Sequence, residues 1–151
     1  MIIISPYAKK LREEKIHPKN YPYWNYVIEK IKEEIIQVGV EGELQLVSDF
    51  RKNLSMSELK SLILECKTWI SVDSFFQHYC WELKKPGIVL FGPSDPNIFG
   101  HPENINLLKD RKYLREKQHW LWEQCDFDEN AFVKSNEVIN ALKKFNVNVN
   151  D

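Results

Sequence analysis

No excess of charge of either sign marks this chain: 21 Lys and Arg stand against 22 Asp and Glu, a formal net charge of −1. A whole-chain attraction to nucleic acid or to an acidic membrane is thereby excluded, and only a local basic patch stays open. Long apolar runs are also missing, so no membrane span is expected. Residues 1–4 are apolar, but no basic segment precedes them and no apolar core of useful length follows. They read as a first strand and not as a signal peptide. Cysteine is scarce, with residues at 66, 80 and 125 only, none in a CxxC pair. Two of them fall on the apolar faces of expected helices, which suits reduced core thiols in a cytoplasmic protein. With four scattered histidines they lack metal-ligand spacing, so neither a metal nor another cofactor is expected. Internal repeats and low-complexity segments are absent too.

What is present is enough for one folded domain: 151 residues, 43% hydrophobic and 28% charged. The most informative stretch is Ser71 to His101. The apolar run Trp69–Val72 ends in Asp73-Ser74, where a helical pattern begins. Phe75, Phe76, Tyr79, Cys80 and Leu83 recur at helical spacing, and Lys85-Pro86-Gly87 stops them. A second apolar run, Ile88–Phe91, ends in Gly92-Pro93-Ser94-Asp95-Pro96. Strand, helix and strand follow one another, with a polar turn at each strand exit. Parallel sheets place ligands at such exits, because the next helix presents free backbone N–H groups there.

The rest of the chain extends this alternation. Ile2–Ile4 and Ile35–Val38 are expected strands, Leu44–Val47 a short one, and Ile105–Leu108 a late edge strand. Pro22 stands near the first turn of a helix whose face is Trp24, Val27, Ile28 and Ile31. Ser55-Met-Ser-Glu58 is a capping-box pattern opening a helix with Leu59, Leu62, Ile63 and Cys66 inward. A last helix from about Asn136 turns Val138, Ile139, Leu142 and Phe145 inward. The spacing predicts a single α/β domain over 1–151, a three-layer Rossmann-like sandwich with a mostly parallel sheet and a tail, 109–151, packing back on it.

With these turns in place, the chain resembles the C-terminal half of a GT-B glycosyltransferase of family 9, the ADP-heptose lipopolysaccharide heptosyltransferases and their relatives. The resemblance spans nearly the whole chain. It rests on Ile2-Ile-Ile-Ser5-Pro6, on Lys19-Asn-Tyr-Pro22-Tyr-Trp24, on Gly39-Val-Glu-Gly-Glu43 and on Leu54-Ser-Met-Ser-Glu58-Leu59. The family's Asp-Ser/Thr-Gly-x-x-His signature corresponds to Asp73-Ser-Phe-Phe-Gln-His78, and its Phe-Gly-x-Ser/Thr-Asp-Pro segment to Phe91-Gly-Pro-Ser94-Asp95-Pro96. Six such segments in matching order are fairly specific. Phe75 departs from the pattern, standing where the family has a small residue. The family's N-terminal half, with its acceptor site and carboxylate general base, has no room in these residues.

The resemblance implies a site for a nucleoside diphosphate or nucleotide sugar. Ser74, Phe75 and Phe76 lie at a helix start suited to phosphate. Ser5 adds a hydroxyl, and Lys9 or Lys19 a charge. Glu43 is the implied acceptor for ribose hydroxyls. Asp73 shapes the turn or touches sugar hydroxyls, and His78 lies one turn into the helix near the same mouth. Ser94 closes the ring at the next strand exit. No catalytic residue is assigned. Read without the resemblance, Asp73 and Ser74 are equally a helix cap, His78 a structural hydrogen-bonder, and the 9–19 basic run a solvated surface. Three functions remain open. One is a nucleotide-binding domain that is not catalytic alone, for example one sequestering or sensing an ADP-ribose-type signal. Another is the donor subunit of a split glycosyltransferase acting with a separate acceptor-domain protein or within a homo-oligomer. The third is an interaction module with a filled cleft.

Overall fold

Ile2, Ile3 and Ile4 are each fully buried, yet they serve two different cores. Ile2 and Ile4 pack with Ile70, Val72, Ile88, Leu90, Val138 and Leu142, whereas Ile3 packs with Ile36, Val38, Trp69, Val89 and Phe91. Successive side chains of a strand point to opposite faces, so an unbroken apolar run is what a strand covered on both faces needs. The computed structural model describes residues 1–150 and realises this arrangement as a three-layer α/β sandwich. Its strands are β1 (Ile2–Ser5), β2 (Ile35–Gly39), β3 (Asp49–Lys52), β4 (Thr68–Val72), β5 (Ile88–Phe91) and β6 (Ile105–Leu108). They pair in the order β3-β2-β1-β4-β5-β6, every pair parallel.

The helices are α1 (Trp24–Ile28), α2 (Met56–Glu65), α3 (Phe75–Glu82), α4 (Pro96–Phe99) and α5 (Ser135–Lys144). Trp24 and Val27 of α1 share one core with Val138 and Leu142 of α5. Leu62 and Ile63 of α2 share the other with Phe76 and Cys80 of α3. The capping box at α2 forms in full: Glu58 N–H donates to Ser55 Oγ and Ser55 N–H to Glu58 Oε1, both at 3.1 Å. The tail contributes Phe132, which is fully buried on the α1/α5 face.

Two expectations are corrected. The strand expected at Leu44–Val47 lies instead at Asp49–Lys52, paired with β2. The buried Gln37 amide takes both hydrogen bonds of the 44–46 backbone, donating to Leu44 O at 2.9 Å and accepting from Leu46 N–H at 2.7 Å. That segment is therefore held as a loop. In α3 the inward face is Phe76, Gln77 and Cys80, while Phe75 is 62% exposed and stacks on Tyr79.

A crevice at the carboxyl ends of the strands

Strand order reverses between β1 and β4: later strands are added outward from β1 on one side and from β4 on the other. Loops leaving adjacent strands at such a point diverge and open a crevice, the usual ligand site of an open parallel sheet. Here it is a cavity of about 710 Å³ spanning the exits of β3, β2, β1 and β4. Ser5, Lys9, Lys19, Glu43, Asp73, Ser74, Phe75 and Phe76 line it together. So do Tyr7, Lys10, His17, Arg51 and Asn53, which the sequence reading left out.

At the β4 exit, α3 begins without a side-chain cap. Ser74 is extended (φ −156°, ψ 176°), and its hydroxyl lies 3.3 Å from Ser71 Oγ. Asp73 does not cap the helix either. Its Oδ1 accepts from Gln77 Nε2 at 2.7 Å, and its Oδ2 forms an ion pair with Lys19 Nζ at 3.0 Å that lacks the angle of a directed hydrogen bond. Of the helix-cap reading, only the position of Ser74 at the N-cap holds; neither side chain makes a capping hydrogen bond. The first N–H groups of α3 stay available to an anion, with the positive end of the helix behind them.

Glu43 reaches back over the exit of β2. Its Oε1 accepts from Val40 N–H at 2.6 Å, and no side chain of the described residues bonds its Oε2. Burial raises its pKa above the ordinary carboxylate value, opposed by the Val40 bond and by the Lys10 charge. A second cavity of about 440 Å³ adjoins the first, sharing Tyr7, Ala8, Lys10, His17 and Glu43 with it. Tyr21, Pro22, Leu44 and Phe127 give it apolar walls. The Tyr7 hydroxyl is pushed to higher pKa by burial and then by Glu43. His17 is held neutral, its pKa lowered to about 4 by burial and by the Lys19 charge.

Two sequence-selected residues fall outside the crevice. His78 points away along α3, with Nδ1 2.8 Å from His101 Nε2, and His101 stacks on Trp81. Ser94 is 1% exposed, and its hydroxyl has no hydrogen-bond partner among the described residues. The exit of β5 around Ser94 is closed by the tail. Gln118 bridges Asp95 N–H and Pro93 O at 2.9 Å each, and Arg115 N–H donates to Pro93 O at 2.9 Å. Non-local closure of this kind leaves no local signal in the strand-exit sequence.

No group of three or more His, Cys, Asp or Glu among the described residues is placed to hold a metal ion. No helix of the described residues is long and apolar enough to cross a membrane.

No curated protein matches the chain. Among solved structures it is similar to ADP-heptose LPS heptosyltransferase II of E. coli, with a TM-score of 0.64 at 18% identity. At that identity the likeness shows the fold. The match covers 96% of this chain and 46% of the heptosyltransferase, so the chain spans less than half of that protein's length. The model of glycosyltransferase family 9 (heptosyltransferase) matches residues 45–128, more than half of the chain, and the chain belongs to that family.

Proposed function

We propose that this chain is a nucleotide-binding domain for a nucleoside diphosphate or its sugar ester, and that it binds without transferring glycosyl groups by itself. One observation carries the reading. Glu43 lines both an aromatic-walled slot of about 440 Å³ and a cavity of about 710 Å³ that reaches an uncapped helix start. A nucleoside diphosphate has the same three parts in the same order. Its base fits the slot, its ribose hydroxyls meet the Glu43 carboxylate, and its pyrophosphate meets Ser5, Lys19 and the N–H groups of Phe75 and Phe76. Lys9 and Lys10 add positive charge along the cavity wall.

Support for binding without transfer comes from the carboxylates. Glu43 and Asp73 are the cavity's only ones among the described residues, and both are engaged within the protein. Asp73 has no free oxygen to act as a general base, Glu43 is taken by the ribose hydroxyls in this reading, and transfer also needs an acceptor cradle. The three unpaired cysteines fit a reducing, cytoplasmic setting.

Calorimetry with ADP, UDP and GDP and their glucose esters tests the proposal. At least one should bind, and Glu43→Ala should lose about 1–3 kcal/mol, up to roughly a hundredfold in affinity. Absence of binding to every one of these nucleotides refutes the reading. Glycosyl transfer by the purified chain alone refutes its second half.

A further inference from the structure

We propose a second ligand site at the other end of the sheet, between the end of α3 and the starts of β5 and β6. It takes a small aromatic zwitterion, a molecule of the aromatic amino acid class.

The site is a cavity of about 720 Å³. Trp81, Lys84, Lys85 and Pro86 line it from the end of α3, and Glu103 and Asn104 from the turn before β6. α3 leaves the carboxyl end of β4 and returns the chain to the amino end of β5, so this cavity lies opposite the crevice. It shares no lining residue with the two cavities described above, and the inference does not rest on the nucleotide reading.

Its walls are fixed from several directions. Lys84 N–H donates to Trp81 O and Lys85 N–H to Cys80 O, both at 2.9 Å, which closes α3 with Lys84 in the left-handed region (φ 58°). Lys85 O in turn accepts from Trp69 Nε1–H at 2.9 Å. Asn104 Oδ1 accepts from Gly87 N–H at 3.1 Å, tying the turn before β6 to the start of β5. His101 stacks on Trp81 with centroids 4.5 Å and planes 10° apart, and His101 Nε2 lies 2.8 Å from His78 Nδ1. With one face covered in this way, Trp81 is still 45% exposed. A site held by its own structure asks for little ordering when a ligand enters.

Three features name the ligand. A cavity of this size, within the roughly 300–1,000 Å³ of small-molecule sites, suits a compact molecule, and the open part of the Trp81 ring suits a second ring. Asn104 is 8% exposed, and its Nδ2 has no acceptor among the described residues. With Oδ1 committed to Gly87, what that amide lacks is an acceptor, which a ligand carboxylate supplies. Glu82, Lys84, Lys85 and Glu103 border the cavity, and none of them forms an ion pair among the described residues. Two cations and two anions around Trp81 and Pro86 match a ligand that carries both an ammonium and a carboxylate. A ligand with only one of these charges leaves half of that rim unanswered.

The test follows the Trp81 indole N–H by NMR, identified by its loss in Trp81→Phe, during titration with L-tryptophan, tryptamine and indole-3-propionate. L-tryptophan should shift it with a Kd of about 1 mM or tighter, and the other two, each lacking one charge, should bind about fivefold or more weakly. Asn104→Asp keeps an acceptor for Gly87 N–H and removes the donor. It should weaken L-tryptophan about tenfold without weakening tryptamine. If melting shows that Asn104→Asp does not fold, Lys84→Gly, at a left-handed position that glycine suits, removes one cation and should weaken L-tryptophan about threefold. A Trp81 resonance that none of the three compounds moves at about 10 mM overturns the proposal. Equal binding of all three overturns the zwitterion as ligand. L-tryptophan binding that is unchanged in the folded variant overturns the seat assigned to its carboxylate.

Discussion

Glu43 lays its carboxylate over Gly39, in the space that a Cβ at position 39 would fill. The pair explains why a glycine ends β2 and how the acidic side chain four residues later is aimed. A methyl group at 39 meets the end of a flexible side chain; the first atom beyond Glu43, on the Phe50 ring, is at an ordinary 3.4 Å. Gly39→Ala should therefore displace Glu43 from Val40 N–H while leaving the sheet nearly unchanged. We predict a roughly tenfold loss of nucleotide affinity with a stability change within about 1 kcal/mol. Adding Glu43→Ala to Gly39→Ala should cost little more, as expected for two changes acting on one contact. Additive losses by calorimetry would refute this coupling.

The second prediction concerns the tail's anchor. Asp95 accepts from both terminal nitrogens of Arg111, at 3.0 and 2.8 Å, and from Asn97 N–H at 2.9 Å. Arg111 is the largest cause of the lowered Asp95 pKa, and the Asn97 bond adds to it against the opposing effect of burial. A carboxylate with a depressed folded pKa contributes stability above its unfolded value and loses it as pH falls through the folded one. Arg111→Met should return Asp95 toward the ordinary range, so that stability near neutral pH falls and its decline toward acid flattens. Carbon NMR titration of Asp95, with thermal melts across pH 2–6, checks both parts. An unmoved Asp95 titration would show that Arg111 is not the cause.

Most of the sheet was legible because buried strands must be apolar on both faces, as Ile2–Ile4 and Ile88–Leu90 are. β3 was not, because its sequence is Asp-Phe-Arg-Lys: an edge strand pairs on one side only and is commonly charged. The apolar neighbour Leu44–Val47 drew the assignment, and only the distant Gln37 side chain makes that segment a loop. Missing β3 also hid Arg51 within it and Asn53 at its exit. Tyr7 and His17 lie in an irregular connection with no period to reveal them. Ser5, Glu43 and Asp73 were readable because strand exits in a parallel sheet share one end. His78 was misplaced because three residues past Phe75 the α3 surface has turned toward His101, and Ser94 because Gln118, far along the chain, seals it.

His17 gives the third prediction. It lines both cavities, is 7% exposed, and accepts from Lys19 N–H through Nδ1 at 3.2 Å. Burial is the main reason its pKa falls from 6.5 to about 4, with Lys19 second. Between those values the unfolded chain binds a proton that the folded chain refuses. Stability is therefore full above about pH 6.5 and declines as pH falls toward 4, by at most about 3 kcal/mol. His17→Asn should flatten the melting temperature over that window, and the wild-type imidazole should titrate near 4 by NMR. A titration near 6.5 would show that the ring is solvated.

The last prediction joins the tail to the sheet. A Cβ at Gly92, just past β5, would lie 2.6 Å from Cε1 and Cζ of Phe132. Phe132 cannot move aside: it is fully buried, and its ring meets Tyr21 edge-on with centroids 5.9 Å apart. Unlike the Glu43 carboxylate above Gly39, this ring is a packed core group, so the added methyl must strain the backbone or dislodge the tail. We predict that Gly92→Ala destabilises the fold by about 1–3 kcal/mol. Phe132→Leu will also be destabilising, since it leaves part of the ring's volume empty. In the double variant the methyl enters that space, so the combined loss should fall short of the sum of the single losses by about 0.5 kcal/mol or more. Urea denaturation of the four proteins gives this difference directly. Strict additivity would mean that the Gly92–Phe132 contact does not set the packing of the tail against the β5 exit.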